Sequence, residues 1–147
     1  MKLTADEVDE IMALERACFS HPWARSDFEF ELSCPDSVFL GAKDNEKTVG
    51  FVILRLEGDQ AEVYNIAVDA SVRRGGIGGK LLDTALEVAR AAGVQSVFLE
   101  VRASNLPARG LYASRGFEQV GIRKKYYDLP TEDAIVMAAQ LVKGEKS

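Results

Sequence analysis

Arg73-Arg74-Gly75-Gly76-Ile77-Gly78-Gly79 is the segment whose residue types and spacing most directly imply chemistry. It lies between an apolar strand-like run and a helix-like run. The first turn of a helix leaves backbone N–H groups without intrahelical partners, all pointing the same way. The helix dipole adds partial positive charge there, and glycines let an anion approach the backbone closely. Two arginines in an otherwise acidic chain raise the local potential further. The segment therefore reads as a phosphate site; the alternative is a surface turn with spare glycines. The nucleotide-binding P-loop does not fit, because its first glycine would fall on Arg74 and its hydroxyl on Leu81. The dinucleotide fingerprint starting at Gly76 fails as well, since it needs a glycine at Leu81.

Glu100 sits within the apolar run Val97–Val101. Strand alternation puts Leu99 and Val101 on one face and Phe98, Glu100 and Arg102 on the other. A carboxylate there reads either as a general base or as a solvated charge paired with Arg102 or Arg123. Tyr112 follows on a short helix. A phenol with an ordinary pKa of about 10 can pass a proton to a thiolate of about 8.5–10 almost thermoneutrally, as a general acid should. Otherwise Tyr112 is a core residue beside Leu111. Asn105, just ahead of Pro107, reads as a helix cap and, compatibly, as a ligand contact. Tyr126-Tyr127 reads as strand packing or as peptide contact, and Trp23 beside Pro22 as a loop anchor that also walls a groove. Cys18 and His21 have no neighbour to orient them as a nucleophile–base pair. Two cysteines and one histidine form no ligand set, so no metal is expected.

Periodicity supplies the elements that must hold these groups. Residues 5–18 follow a helical stripe through Val8, Ile11, Met12 and Leu14 to Cys18. His21-Pro22-Trp23 breaks it, and residues 26–32 form a second short helix ending near Cys34-Pro35. Three strands follow, at 38–42, 49–56 and 61–68, joined by Asp44–Lys47 and Gly58-Asp59 as turns. A long helix over 76–92 buries Ile77, Leu81, Leu82, Ala85, Leu86 and Ala89 and stops at Gly93. A strand at 97–101, a helix at 107–114 opened by Pro107, and strands at 117–127 and 134–141 complete the order. The expected fold is α/β (α+β): a mixed, mostly antiparallel sheet with helices on both faces. Its parallel part lies where the long helix joins 61–68 to 97–101. Residues 1–142 read as one domain and 143–147 as a polar tail.

The chain has 147 residues and a net charge of −5. An acidic balance argues against bulk nucleic-acid affinity. The apolar runs fall short of the roughly 18 residues a membrane span needs. The N-terminal stretch turns acidic at once, unlike a secretory signal. A cytoplasmic protein without membrane or nucleic-acid partners is expected, with Cys18 and Cys34 as free thiols.

Three stretches of the sequence resemble one family. They are Glu15-Arg16-Ala17 through Pro22-Trp23; Asn65-Ile66-Ala67-Val68-Asp69 with the glycine loop and Leu81-Leu82; and Leu99-Glu100-Val101-Arg102-Ala103-Ser104-Asn105 with Ala108, Leu111-Tyr112, Gly116-Phe117, Gly121, Arg123 and Tyr126-Tyr127. The loop also fits [RQ]-x-x-G-x-G as Arg73-x-x-Gly76-x-Gly78. Together they resemble the RimI branch of the GNAT superfamily of N-acetyltransferases. The loop is specific only to the superfamily, the third stretch to the branch. The resemblance implies a GNAT fold whose sheet splays at Val68 and Arg102, with acetyl-CoA as co-substrate in the gap. Ile66, Ala67 and Val68 would pair with the pantetheine arm, residues 74–79 would wrap the diphosphate, and Asn105 would contact the arm. Glu100 would be the base and Tyr112 the acid, and a peptide N-terminus would dock between Trp23 and the Arg123–Tyr127 segment. The implied partner is a small-subunit ribosomal protein with an N-terminal alanine. The sequence departs from the pattern at Gly75 and Gly79, where bulkier residues are usual, and in starting very close to its first helix.

Acetylation of an amine needs the amine neutral, the thioester carbonyl polarised and the thiolate stabilised. An α-amine, with a pKa of about 7.7–8.0, is about one-tenth neutral at pH 7, whereas lysine titrates near 10.4. The gap is roughly 3.5 kcal/mol, which makes one carboxylate a more convincing base for an N-terminal amine. A lysine or small-amine acetyltransferase, and a non-catalytic acyl-CoA sensor, are the alternatives.

Overall fold

The computed structural model describes residues 7–18, 22–70, 76–127 and 131–141. Residues 19–21 and 71–75, and with them His21, Arg73, Arg74 and Gly75, lie outside the described residues.

Helix α1 (Val8–Cys18) buries Val8, Ile11, Leu14 and Glu15, a single stripe at i, i+3, i+6 and i+7. Helix α2 (Arg25–Ser33) starts where the Asp27 carboxylate accepts the Ala24 N–H at 3.0 Å. Strands β1 (Ser37–Asp44) and β2 (Lys47–Glu57) form a hairpin turned by Asn45-Glu46, both left-handed at φ 52° and 69°. That geometry matches the right-handed twist of the paired strands. Strand β3 (Gln60–Val68) follows a turn at Gly58, and helix α3 (Ile77–Ala91) ends before a left-handed Gly93. Strand β4 (Ser96–Arg102) leads to helix α4 (Leu106–Ser114), capped by Asn105, whose side chain accepts the Ala108 N–H at 3.2 Å. Strands β5 (Glu118–Tyr127) and β6 (Glu132–Gln140) close the order. Every element expected from the sequence is present, most of them shifted or lengthened by a residue or two at the ends.

The sheet runs β1-β2-β3-β4-β6-β5, antiparallel except where β3 and β4 pair in parallel. Helices cover both faces, as expected. Leu82, Ala85 and Ala89 of α3 pack on Val52, Leu54, Val97 and Leu99. Ile11 and Leu14 of α1 and Phe28 of α2 pack on Phe39, Phe51 and Ile53 on the opposite face. Successive residues of β2 thus serve opposite cores, which is why it reads as a continuous apolar run. Among the described residues, no helix is long and apolar enough to cross a membrane.

Two features were not visible in the periodicity. Ile53 faces Asn65 while Leu54 faces Val63, so Tyr64 is an extra residue in β3, a β-bulge. The bulge reverses the alternation of β3: Ala61 and Val63 belong to the α3 core, but Ala67 belongs to the α1–α2 core. In addition, four carboxylates from the first two helices and the residue ahead of α1 bond to the sheet. Glu7 pairs with Lys43 at 2.9 Å, Glu10 accepts the Thr48 N–H at 3.1 Å, Glu31 pairs with Arg55, and Glu15 has no cationic partner among the described residues.

Phe28 is fully buried, with Trp23, Phe39 and Phe51 around its ring. Phe28→Ala is expected to cost about 3–5 kcal/mol by urea denaturation. A loss below 1 kcal/mol would mean that α2 contributes little to the core.

Candidate active site

Three residue pairs hold β3 to β4: Gln60–Ser96, Ala61–Val97 and Glu62–Phe98. Past them the strands part, and a trough opens in the gap. Its inner part, about 260 Å³, is lined by Tyr64, Asn65, Glu100, Arg102 and Tyr127. Its outer part, about 450 Å³, is lined by Ala67, Val68, Gly76, Gly78, Gly79 and Arg115. Cys18, Ile66, Asn105, Ala108 and Tyr112 line both, so the two parts are continuous.

The outer end is the mouth of α3. Gly76 is left-handed at φ 77°, a conformation that L side chains rarely adopt. A methyl group on Gly78 would lie 3.5 Å from Val68 and 3.6 Å from Leu111, narrowing the trough. At Gly79 a methyl would collide with the Arg115 guanidinium, which Asp83 holds at 3.1 Å. Ile77 does not line the trough. Its side chain packs into the α3 core against Gly50.

The inner end carries the titratable groups. Glu100 shares its face with Phe98 and Arg102, while Val97, Leu99 and Val101 are buried on the other. Its carboxylate accepts a hydrogen bond from Arg123 Nη1 at 2.6 Å, and that guanidinium lies 4.4 Å from the centre of the Tyr126 ring. Burial first and then the charge of Glu100 push the Tyr127 phenol up to about 12. The same two causes raise Glu62 and Tyr126 from their usual values. Tyr112 is only 6% exposed and stacks on Phe117, so it is both a core residue and part of the trough wall. Burial raises its pKa well above that of a free phenol. A phenol whose pKa is raised gives up its proton less readily than an ordinary tyrosine does.

Trp23 stands behind the trough, edge-on to Tyr64 at 6.2 Å. Tyr127 lines the trough, whereas Tyr126 lies outside it, 46% exposed. Three trough-side residues, Arg115, Glu15 and Asn65, have no individual role in the sequence reading, and Cys18 only a rejected one. Cys18 donates its S–H to the Val68 carbonyl at 3.8 Å, and Arg115 reaches the mouth of α3. Glu15, 1% exposed, accepts the Trp23 N–H at 3.0 Å and the Asn65 Nδ2 at 2.9 and 3.1 Å. Burial pushes the Glu15 carboxyl up, and these hydrogen bonds oppose it. The sequence signals were a glutamate on the apolar stripe of α1 and the place of Glu15 and Asn65 in the stretches that carry the family resemblance.

Residues 8–117 match the Acetyltransferase (GNAT) family. The chain belongs to that family. GNAT members use acetyl-CoA, and the trough fits such a molecule: a parted strand edge for an extended amide-bearing arm, then an open glycine mouth for a diphosphate. Among relatives, the [ribosomal protein bS18]-alanine N-acetyltransferase of Escherichia coli K12 is 37% identical over 131 residues, covering 85% of each chain. Its Salmonella typhimurium counterpart is 34% identical, covering 92% of this chain and 93% of the relative. The crystal structure of the ribosomal-protein-S18-alanine N-acetyltransferase from Escherichia coli superposes with a TM-score of 0.90 at 32% identity, over 100% of this chain and 96% of that one. Ard1 from Thermoplasma volcanium shares the GNAT fold with a TM-score of 0.89 at 23% identity, over 97% of both chains.

The turn that carries Asn105 depends on Glu132, whose carboxylate accepts the Ser104 N–H at 2.5 Å and pairs with Arg102 at 3.4 Å. Hydrogen bonding from Ser104, with Arg102 adding to it, holds that carboxyl below its usual 4.5. A lowered folded-state pKa stabilises the fold above the unfolded value and is lost as pH falls through the folded value. Glu132→Gln should therefore lower stability by a constant amount at neutral pH. The difference from wild type should shrink once pH drops below about 4.5, as urea denaturation at a series of pH values would show.

Proposed function

We propose that this enzyme transfers acetyl from acetyl-CoA to the N-terminal α-amine of a protein in the cytoplasm, with a ribosomal protein bearing an N-terminal alanine as its substrate. The observation that carries this reading is the trough itself, which runs from the glycine mouth of α3 and ends between Glu100 and Tyr112. The alanine-acetylating relatives support the choice of amine.

On this reading Ile66, Ala67 and Val68 offer backbone groups to the pantetheine arm, and the Val68 N–H meets the thioester carbonyl. Arg73 to Gly79 grip the diphosphate, and Asn105 steadies the arm beside its capping role. Glu100 removes the ammonium proton, directly or through water. It already holds one cation, the Arg123 guanidinium, and the incoming ammonium carries the same charge. The amine then attacks the thioester directly; no covalent enzyme intermediate is needed, and Cys18 is not required as a nucleophile. Tyr112 donates a hydrogen bond to the departing sulfur, where its raised pKa favours holding the proton until negative charge has developed. Tyr127, Tyr126 and Trp23 flank the peptide.

Tyr112→Phe should lower kcat by about 100-fold with acetyl-CoA affinity unchanged by calorimetry. Full turnover in that variant would remove the acid role. Glu100→Gln should lose activity most at low pH and recover as pH rises past about 8, where the free α-amine needs no base. A loss constant with pH would mean that Glu100 only positions the amine. Mass spectrometry of peptides with free or blocked N-termini, and of ribosomal proteins, distinguishes α-amine from lysine acetylation. Acetylation confined to lysine, or no thiol release with any amine, would overturn the proposal.

A further inference from the structure

We infer that the Asn65 side-chain carbonyl is an acceptor for the substrate amine, and that Glu15 is the positioning residue that turns it toward the trough. The inference rests on the function proposed above.

The side-chain amide of Asn65 has a donor end and an acceptor end. Its Nδ2 meets both oxygens of the Glu15 carboxylate, at 2.9 and 3.1 Å. A carboxylate accepting three hydrogen bonds rules out the flipped amide, which would set oxygen against oxygen. Oδ1 is therefore directed away from Glu15. It makes no hydrogen bond with any described residue, and it is not among the buried side-chain atoms left without a partner. Asn65 lines the inner trough together with Glu100 and Tyr112. The Tyr64 bulge is what brings it there, because regular alternation would send residue 65 to the α3 face.

A primary amine attacking a thioester has to aim one lone pair while it holds its N–H groups. The base takes one proton. A neutral carbonyl that accepts a second N–H fixes the lone-pair direction without competing for the proton. Asn65 supplies such an acceptor, and Glu15 supplies the constraint that keeps it an acceptor. The same carboxylate accepts the Trp23 N–H, so the loop beside the groove and the bulge are tied to one buried point.

Glu15→Gln separates orientation from packing. The variant keeps shape and the Trp23 contact, but it sets an NH2 against Asn65 Nδ2 at the place now spanned by 2.9 Å. The oxygen kept for Trp23 still lies 3.1 Å from Asn65 Nδ2, but the second acceptor has become a donor, so the amide loses its single orientation and its carbonyl is no longer held toward the trough. The test compares wild type, Asn65→Ala, Glu15→Gln and the double variant. It measures kcat and KM for an N-terminal alanine peptide, and the Kd of that peptide and of its des-amino analogue with CoA present.

Both single variants should fold, bind acetyl-CoA normally and lose about tenfold or more in kcat/KM, a factor typical of one hydrogen bond to a charged or reacting group. The double variant should be no worse than either single one. Affinity should fall for the amine peptide and not for the des-amino analogue. Wild-type turnover in Asn65→Ala, wild-type turnover in a folded Glu15→Gln, or equal losses for both ligands would overturn the inference. If wild type itself fails to acetylate the peptide, the proposed function is wrong. The affinity comparison still decides the role of Asn65, because it needs no turnover.

Discussion

The parting of β3 from β4 beyond Glu62–Phe98 is the constraint on which the rest of the structure depends. A parallel pair normally runs its full length, since each unmade ladder bond leaves backbone polar groups to be satisfied elsewhere. Here only three residue pairs join strands of nine and seven residues. The bulge at Tyr64 bends β3 away and keeps its outer edge bonded to β2 instead. On the other side β4 stays paired with β6 along its whole length, from Ser96–Gln140 to Arg102–Ala134. Each strand is thus secured by its outer neighbour, and the gap between them remains open without loosening the sheet.

Helices set the two ends of that gap. At one end α3 begins at a left-handed Gly76, and Gly76, Gly78 and Gly79 line the opening. Gly79 there leaves space for the Arg115 guanidinium against the helix, and Asp83 keeps it there. The extra glycine relative to the family pattern thus has a local physical reason. At the other end α4 brings Tyr112 into the wall, held by Phe117 and by the Asn105 cap. Burial that makes Tyr112 a core residue also makes it a weak acid, so its packing and its chemistry are set by one environment.

The charges around the inner trough form linked pairs. Arg123 bridges Glu100 and the Tyr126 ring, and Arg102 bridges Glu132 and the Tyr127 ring at 4.5 Å. Lys125, left-handed at φ 51°, places its N–H on Asp133 at 2.9 Å, and this kink interrupts the β5–β6 register between Arg123 and Tyr127. β5 is an edge strand, yet its last residues are held close to β4 by side chains that also line or flank the trough.

The sequence by itself determined the order and kind of every element, the mixed sheet, the glycine mouth and the face on which Glu100 lies. These follow from local periods and turn residues: alternation through Val97–Val101, the i, i+4 stripe of α3, the glycines Gly93 and Gly116 after α3 and α4. The family resemblance also assigned roles to Glu100, Tyr112 and Asn105, and the fold brings all three to one trough. Only the tertiary structure decided that Arg123 rather than Arg102 holds Glu100, and that Tyr112 is buried, which raises its pKa above that of a free phenol. It also decided that Trp23 stands one residue behind the cavity, and that Glu15 and Asn65 meet across fifty residues of chain. A bulge shifts the phase of a strand without any signature in its apolar pattern. A long-range hydrogen bond joins residues whose spacing carries no information, because the distance that matters is set by packing.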